Sequence, residues 1–178
     1  MSKPTRTKLD AHMERHAALM QRAWKAHRSH LYDGAAKQLG AVLGTDELEI
    51  HFATMPARYW QQNDLAAVTW HLETIHQFFE TLADPDMPGT MPVLRWRPGR
   101  ERHLLELALC TWDRPGLLAK AAGALAGAGL DILQADIYTR ADNVVLDIFH
   151  VSAAGSRRAP TKTQLAAARD RLVDALRA

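Results

Sequence analysis

The chain has 178 residues, of which 47% are hydrophobic and 24% charged, with a formal net charge of +2. That is room for one medium domain, or one small domain with a helical extension, and the near-neutral balance exerts no overall field that demands a polyanion. Cys110 is the single cysteine, which excludes an intramolecular disulfide and points to a reducing compartment.

The N-terminal stretch MSKPTRTKLD has no apolar signal core, and no window approaches 18 uncharged apolar residues, so the expectation is a cytoplasmic chain without a membrane span. Charge is uneven along the chain. Residues 1–30 carry Lys3, Arg6, Lys8, Arg15, Arg22, Lys25 and Arg28 against Asp10 and Glu14. Such a basic arm suits an acidic protein partner or a solvated helix face; aromatic residues are not interleaved with the bases, which disfavours nucleic acid.

Residues 1–83 read as a helical region. Leu9, Met13, Ala17, Met20 and Trp24 recur at steps of three and four, and Leu31, Ala35, Leu39 and Leu43 repeat the pattern before Gly44. Residues 48–52, LEIHF, alternate and are expected to be a short extended piece. Pro56 breaks the chain, and Asn63 and Asp64 are N-cap candidates for a helix whose apolar stripe is Leu65, Val68, Leu72, Ile75, Phe79 and Leu82. A linker at 84–92, rich in proline, marks a boundary.

From 93 to 178 the texture changes. Strands are expected at 93–96, 103–111, 130–139 and 144–151, with helices from Pro115 to about Gly127 and from Thr161 to Leu176. The order strand, strand, helix, strand, strand, helix implies an α+β, ferredoxin-like unit: a four-stranded antiparallel sheet with two helices on one face. The chain stops at the second helix, so the strand at 93 stands in for the usual last strand.

The corner Trp112-Asp113-Arg114-Pro115-Gly116, followed by Leu117 and Leu118, places the start of a helix where a strand leaves the sheet. Unpaired backbone N–H groups and the positive end of the helix dipole suit a carboxylate there. Asp113 serves equally as a cap, and Gly116 as a point of close approach or simple packing. The second corner, Gly129-Leu130-Asp131-Ile132, is expected across the same end of the sheet, with Asp131 either receiving an ammonium or lying free on the surface. Together the two corners fit an α-amino acid.

The histidines make no metal pattern. His12 and His16 are one turn apart but are followed and separated without the zincin glutamate position, and His71 and His76 point in different directions on a helix. No cofactor is expected.

The block from Glu106 to Val151, with its Asp-Arg-Pro-Gly-Leu-Leu corner, its Gly-Leu-Asp-Ile strand start and its Asp-Ile-Phe-x-Val strand, resembles an ACT domain, a ligand-sensing module. It is most similar to the C-terminal ACT region of uridylyltransferase/uridylyl-removing enzymes that modify PII signal proteins, and HFATMPARYWQQNDLAAVTWHLETI resembles the segment preceding it. The resemblance implies a regulatory module of nitrogen metabolism that binds an amino acid, glutamine favoured, between residues 112–118 of one copy and 129–132 of another. It therefore implies a homodimer, joined either at the exposed edge of strand 130–139 or at helix 117–126. The nucleotidyltransferase and His-Asp signatures of those enzymes are missing from this sequence, so no catalytic residue is assigned. A fragment of such an enzyme and a ligand-free dimerisation module are the alternatives.

Overall fold

The computed structural model describes residues 8–177; Lys3 and Arg6 of the basic arm, and the side chains of Lys8 and Leu9, lie outside them. The chain runs α1 (Lys8–Leu39), α2 (Thr45–Thr54), α3 (Ala57–Gln62), α4 (Leu65–Ala83), β1 (Val93–Pro98), β2 (Leu105–Trp112), α5 (Leu117–Gly127), β3 (Leu130–Thr139), β4 (Val144–Ala153) and α6 (Lys162–Arg177). The four strands form one antiparallel sheet in the order β1-β2-β4-β3. This is the ferredoxin-like arrangement, with β1 hydrogen-bonded along β2 in the place of the usual last strand.

Strand alternation sends successive side chains to opposite faces. Leu107, Leu109, Val145, Phe149 and Val151 pack against Leu117, Ala121 and Leu125 of α5 and against Ala168, Leu172 and Leu176 of α6. Ala108, Cys110, Tyr138, Leu146 and Ile148 face the other way and share a core with the helical region. The sheet is thus covered on both faces. Cys110 is wholly buried there, and burial pushes its thiol far above the ordinary range, so it packs as a small apolar residue.

In the helical layer, Leu31, Ala35 and Leu39 on the last turns of α1 are buried, as their spacing predicts. The first half of α1, a helix of about 48 Å, is different: Met13, Leu19 and Met20 are each at least 60% exposed. Arg28 is no free charge. It donates to the Phe52 carbonyl and lies over the Trp60 ring.

Residues 48–52 form part of helix α2, not the extended piece their alternation suggests. Leu48, His51 and Phe52 fall at helical steps of three and four and are buried, while Ile50 is 47% exposed. The short window satisfies both periods, and burial on a helical face decides between them. Pro56 occupies the N-cap position of α3, whose Tyr59 and Trp60 are buried; Trp60 stacks on Phe52 at 4.2 Å.

Of the two cap candidates before α4, Asp64 takes the role, with Oδ1 accepting the Ala67 N–H at 2.9 Å. The α4 stripe holds with one shift: Phe78 is fully buried and Phe79 only partly. Arg95 of β1 donates to Glu73 at 2.8 Å and ties α4 to the sheet. The turn after β3 is anchored from within. Arg140, 2% exposed, donates twice to Asp142, and the Ala141 N–H donates to the Thr54 carbonyl at the end of α2.

Candidate functional site

The corner between β2 and α5 begins where Trp112 pairs with Val144 at the end of the sheet. Trp112 turns away from α5. Its ring packs edge-on to Phe78 in the helical layer and its Nε1 donates to the Gly89 carbonyl. The chain then reverses, with the Asp113 N–H donating to the Asn143 carbonyl at 2.8 Å. Asp113 is exposed and does not cap the helix; no side chain does.

The helix starts at Leu117, two residues later than Pro115 suggests. Gly116 is the N-cap, in the left-handed region at φ 77°, and a Cβ built there meets nothing within 4 Å. The glycine is therefore required by the backbone angle, not by a close neighbour.

Beside this helix start lies an open cleft of about 540 Å³, between α5 and the β3–β4 side of the sheet. Asp113, Arg114, Gly116, Leu117 and Leu118 line one end of it. Leu117 is otherwise a core residue, whereas Leu118 is 47% exposed. Arg114 brings two guanidinium nitrogens, Nε and Nη2, that are buried and have no hydrogen-bond partner.

The deepest polar group is Asp147 of β4, a residue that the reading of the corner did not include. It is 1% exposed, and neither carboxylate oxygen has a partner. Burial, and then the neighbouring Asp113 charge, push its carboxyl up to about 7. A signal was present in the sequence: in VVLDIFHV the aspartate occupies the same parity as Val145, Phe149 and Val151, whose side chains all point into the core.

The second corner does not join the first. Leu130 pairs with Ala153 and Trp112 with Val144, so the two corners sit at opposite ends of β4, about 30 Å apart along ten extended residues. The expectation that they share one end of the sheet is wrong because α5 runs the length of the sheet before β3 begins. Gly129, at φ 76°, accepts at its carbonyl from Gln164 and from the Ala154 N–H. Leu130 is 2% exposed in the core, Ile132 packs against the same core, and Asp131 accepts the Gly155 N–H at 2.9 Å. Within one chain this corner has its own local bonds.

A larger cleft, of about 670 Å³, lies between the start of α4 and the opposite face of the sheet. Several of its charges pair with one another. Arg97 donates to Glu106 at 2.6 Å, His150 lies 3.4 Å from Asp136 and 3.7 Å from Glu106, and Gln134 donates to Asp136. Size alone favours this cleft, but unpartnered charge favours the one at α5. Among the described residues no group of three or more His, Cys, Asp or Glu side chains converges on a metal position, and no helix is long and apolar enough to cross a membrane.

Fold and cleft together define an α+β chain with a ferredoxin-like sheet and a small-molecule-sized cleft at a strand-to-helix corner. No protein-family model matches it. It is similar to one segment of bifunctional uridylyltransferase/uridylyl-removing enzymes. The identity is 38% over 104 residues with that of Rhodospirillum rubrum, covering 58% of this chain and 10% of that protein. With the Gluconobacter oxydans enzyme it is 33% over 93 residues, covering 52% and 9%. With the Bordetella pertussis enzyme it is 26% over 143 residues, covering 80% and 15%. The chain thus spans between 9 and 15% of the length of these relatives. A match of 143 residues necessarily runs into the helical layer, because the sheet with its two helices occupies only residues 93–178.

Proposed function

We propose that the chain is a regulatory module of the ACT type that binds a small amino acid, glutamine favoured, and acts in the control of PII uridylylation. The observation that carries this reading is the start of α5. An uncapped helix N-terminus, a left-handed Gly116 and Arg114, with two buried and unpartnered nitrogens, border one cleft, and together they suit a carboxylate. The similarity to uridylyltransferase/uridylyl-removing enzymes supports the regulatory setting.

A homodimer joined along β3 completes the reading. Among the described residues β3 pairs only with β4, and Leu133 on it and Leu118 on α5 are 57% and 47% exposed. A second copy laid along that edge lets ligand occupancy alter dimer geometry, through a difference in affinity between two arrangements. The exposed half of α1, with Met13, Leu19 and Met20, is the surface offered to a protein partner. The second reading is that this chain forms part of a longer uridylyltransferase/uridylyl-removing enzyme, favoured by the small share of each relative that it spans.

The test is a thermal-shift series across the twenty amino acids, glutamine first. A ligand at 100 times its Kd adds roughly 2.7 kcal/mol of stability. Arg114→Gln is expected to suppress that shift while leaving the ligand-free melting temperature within a few degrees. No shift with any amino acid, together with a monomer by light scattering, overturns the proposal.

A further inference from the structure

The α5 corner seats an anion, but an amino acid also needs a place for its cation. Asp147 lies on the central strand β4, opposite Leu109 of β2 and Ile137 of β3. Its register position belongs to the apolar row that packs under α5 and α6. A carboxylate in such a row is costly unless something pairs with it, and both of its oxygens lack a partner in this chain. It forms part of the wall of the same cleft that Arg114 and the start of α5 enter.

We propose that Asp147 receives the cationic nitrogen of the ligand, so that the cleft beside α5 holds both ends of an amino acid within one chain. The assignment rests on the amino-acid reading given above, and it moves the cation seat from Asp131 to Asp147. Few charges face the group. The corner supplies Asp113 and Arg114, β2 and β3 present Leu109 and Ile137, and α5 lines the cleft with no titratable side chain.

A regulatory consequence follows. With its carboxyl at about 7, Asp147 is largely protonated in the empty cleft at pH 6. An arriving ammonium pairs only with the ionised form, so binding sends the carboxyl proton to solvent. Affinity for the amino acid therefore rises with pH up to about 7 and levels off above it.

The experiment is calorimetric titration of the full chain with L-glutamine at pH 6 and pH 8, in two buffers of different ionisation enthalpy, for the wild type and Asp147→Asn. Expected are roughly 0.9 proton released per glutamine at pH 6 and about 0.1 at pH 8, with affinity higher by roughly tenfold at pH 8. Asp147→Asn is expected to lose at least tenfold in affinity at pH 8 and to release no proton. 4-Carbamoylbutanoate, which is glutamine without its amino group, is expected to bind the wild type without proton release. Glutamine binding with no proton release, and equally tight to Asp147→Asn, overturns the Asp147 assignment and leaves the amino-acid reading standing. Failure of all twenty amino acids to bind the wild type overturns both. The wild-type proton count needs no variant, so a poorly folded Asp147→Asn leaves the test intact.

Discussion

At pH 8, Asp147→Asn is expected to stabilise the ligand-free chain, by roughly 1–3 kcal/mol. Moving a carboxyl from an ordinary 3.8 to about 7 costs its ionised form about 4 kcal/mol in the folded state. An asparagine at the same place removes that cost but leaves an amide without partners, which takes back about 1–3 kcal/mol. The sign follows from proton linkage. Because the folded value is raised, the folded chain holds the proton between pH 4 and 7 while the unfolded chain has lost it. The wild type therefore loses stability as pH rises through that window and is flat above it. Urea unfolding at pH 4.5, 6 and 8 checks this: the advantage of the variant grows with pH and saturates above 7. A variant destabilised equally at all three values contradicts the burial and isolation of this carboxylate. Uncompensated buried charges of this kind concentrate at functional sites, which is the basis of the ligand role proposed for Asp147.

Acidification is expected to destabilise the chain through two histidines in the helical layer. His51 is fully buried among the rings of Phe52, Tyr59 and Trp60, with neither nitrogen partnered. Burial, followed by the charge of Arg140 and then His71, holds its pKa well below the ordinary 6.5. His71 shares a 3.0 Å hydrogen bond with the Tyr59 hydroxyl, and burial, with Arg97 as the smaller cause, lowers it to about 3.

Both stay neutral in the folded chain down to well below pH 6.5, while the unfolded chain takes up their protons as pH falls through that value. Each group's stability is present above 6.5 and lost below it, at about 1.4 kcal/mol per pH unit. Asp147 works in the opposite direction, so between pH 4.5 and 6 the wild type has a net slope of about one proton, not two. His51→Leu, which removes two unpartnered nitrogens from an aromatic pocket, is expected to flatten that slope. Asp147→Asn is expected to double it. A wild type whose stability is level from pH 6.5 to 4.5 contradicts the neutral buried histidines.

Much of the sheet was legible from local pattern. β3 runs over the residues expected for it, and β1 takes the edge next to β2, because alternation over six to ten residues and short turns leave few other pairings. α4 was legible for the same reason, with a long stripe and an aspartate cap. What failed was short or non-local. Five residues at 48–52 fit a strand as well as a helix, and non-local contacts such as Phe52 with Trp60 and with Tyr32 make the helical face the buried one.

The docking of α1–α4 on the second sheet face depends on pairs such as Tyr59 and Tyr138, whose rings meet at 5.0 Å across 79 positions of sequence. No periodicity encodes that distance. The site was half legible. The glycine and arginine of the corner stand beside the cleft, but Gly129-Leu130-Asp131-Ile132 lies at the far end of the sheet. Asp147 was visible only as a charge on the wrong parity of an apolar strand.

The central claim is that an amino acid sits between the start of α5 and the β3–β4 side of the sheet. Amide chemical shifts of the full chain, followed during a titration with L-glutamine, test it most directly. Saturable shifts are expected at Asp113, Arg114, Gly116–Ala119, Thr139, Val145 and Asp147, which line the cleft. Shifts confined to Gly129–Ile132, or to the cleft at the start of α4, or no saturable shift at all, would contradict it.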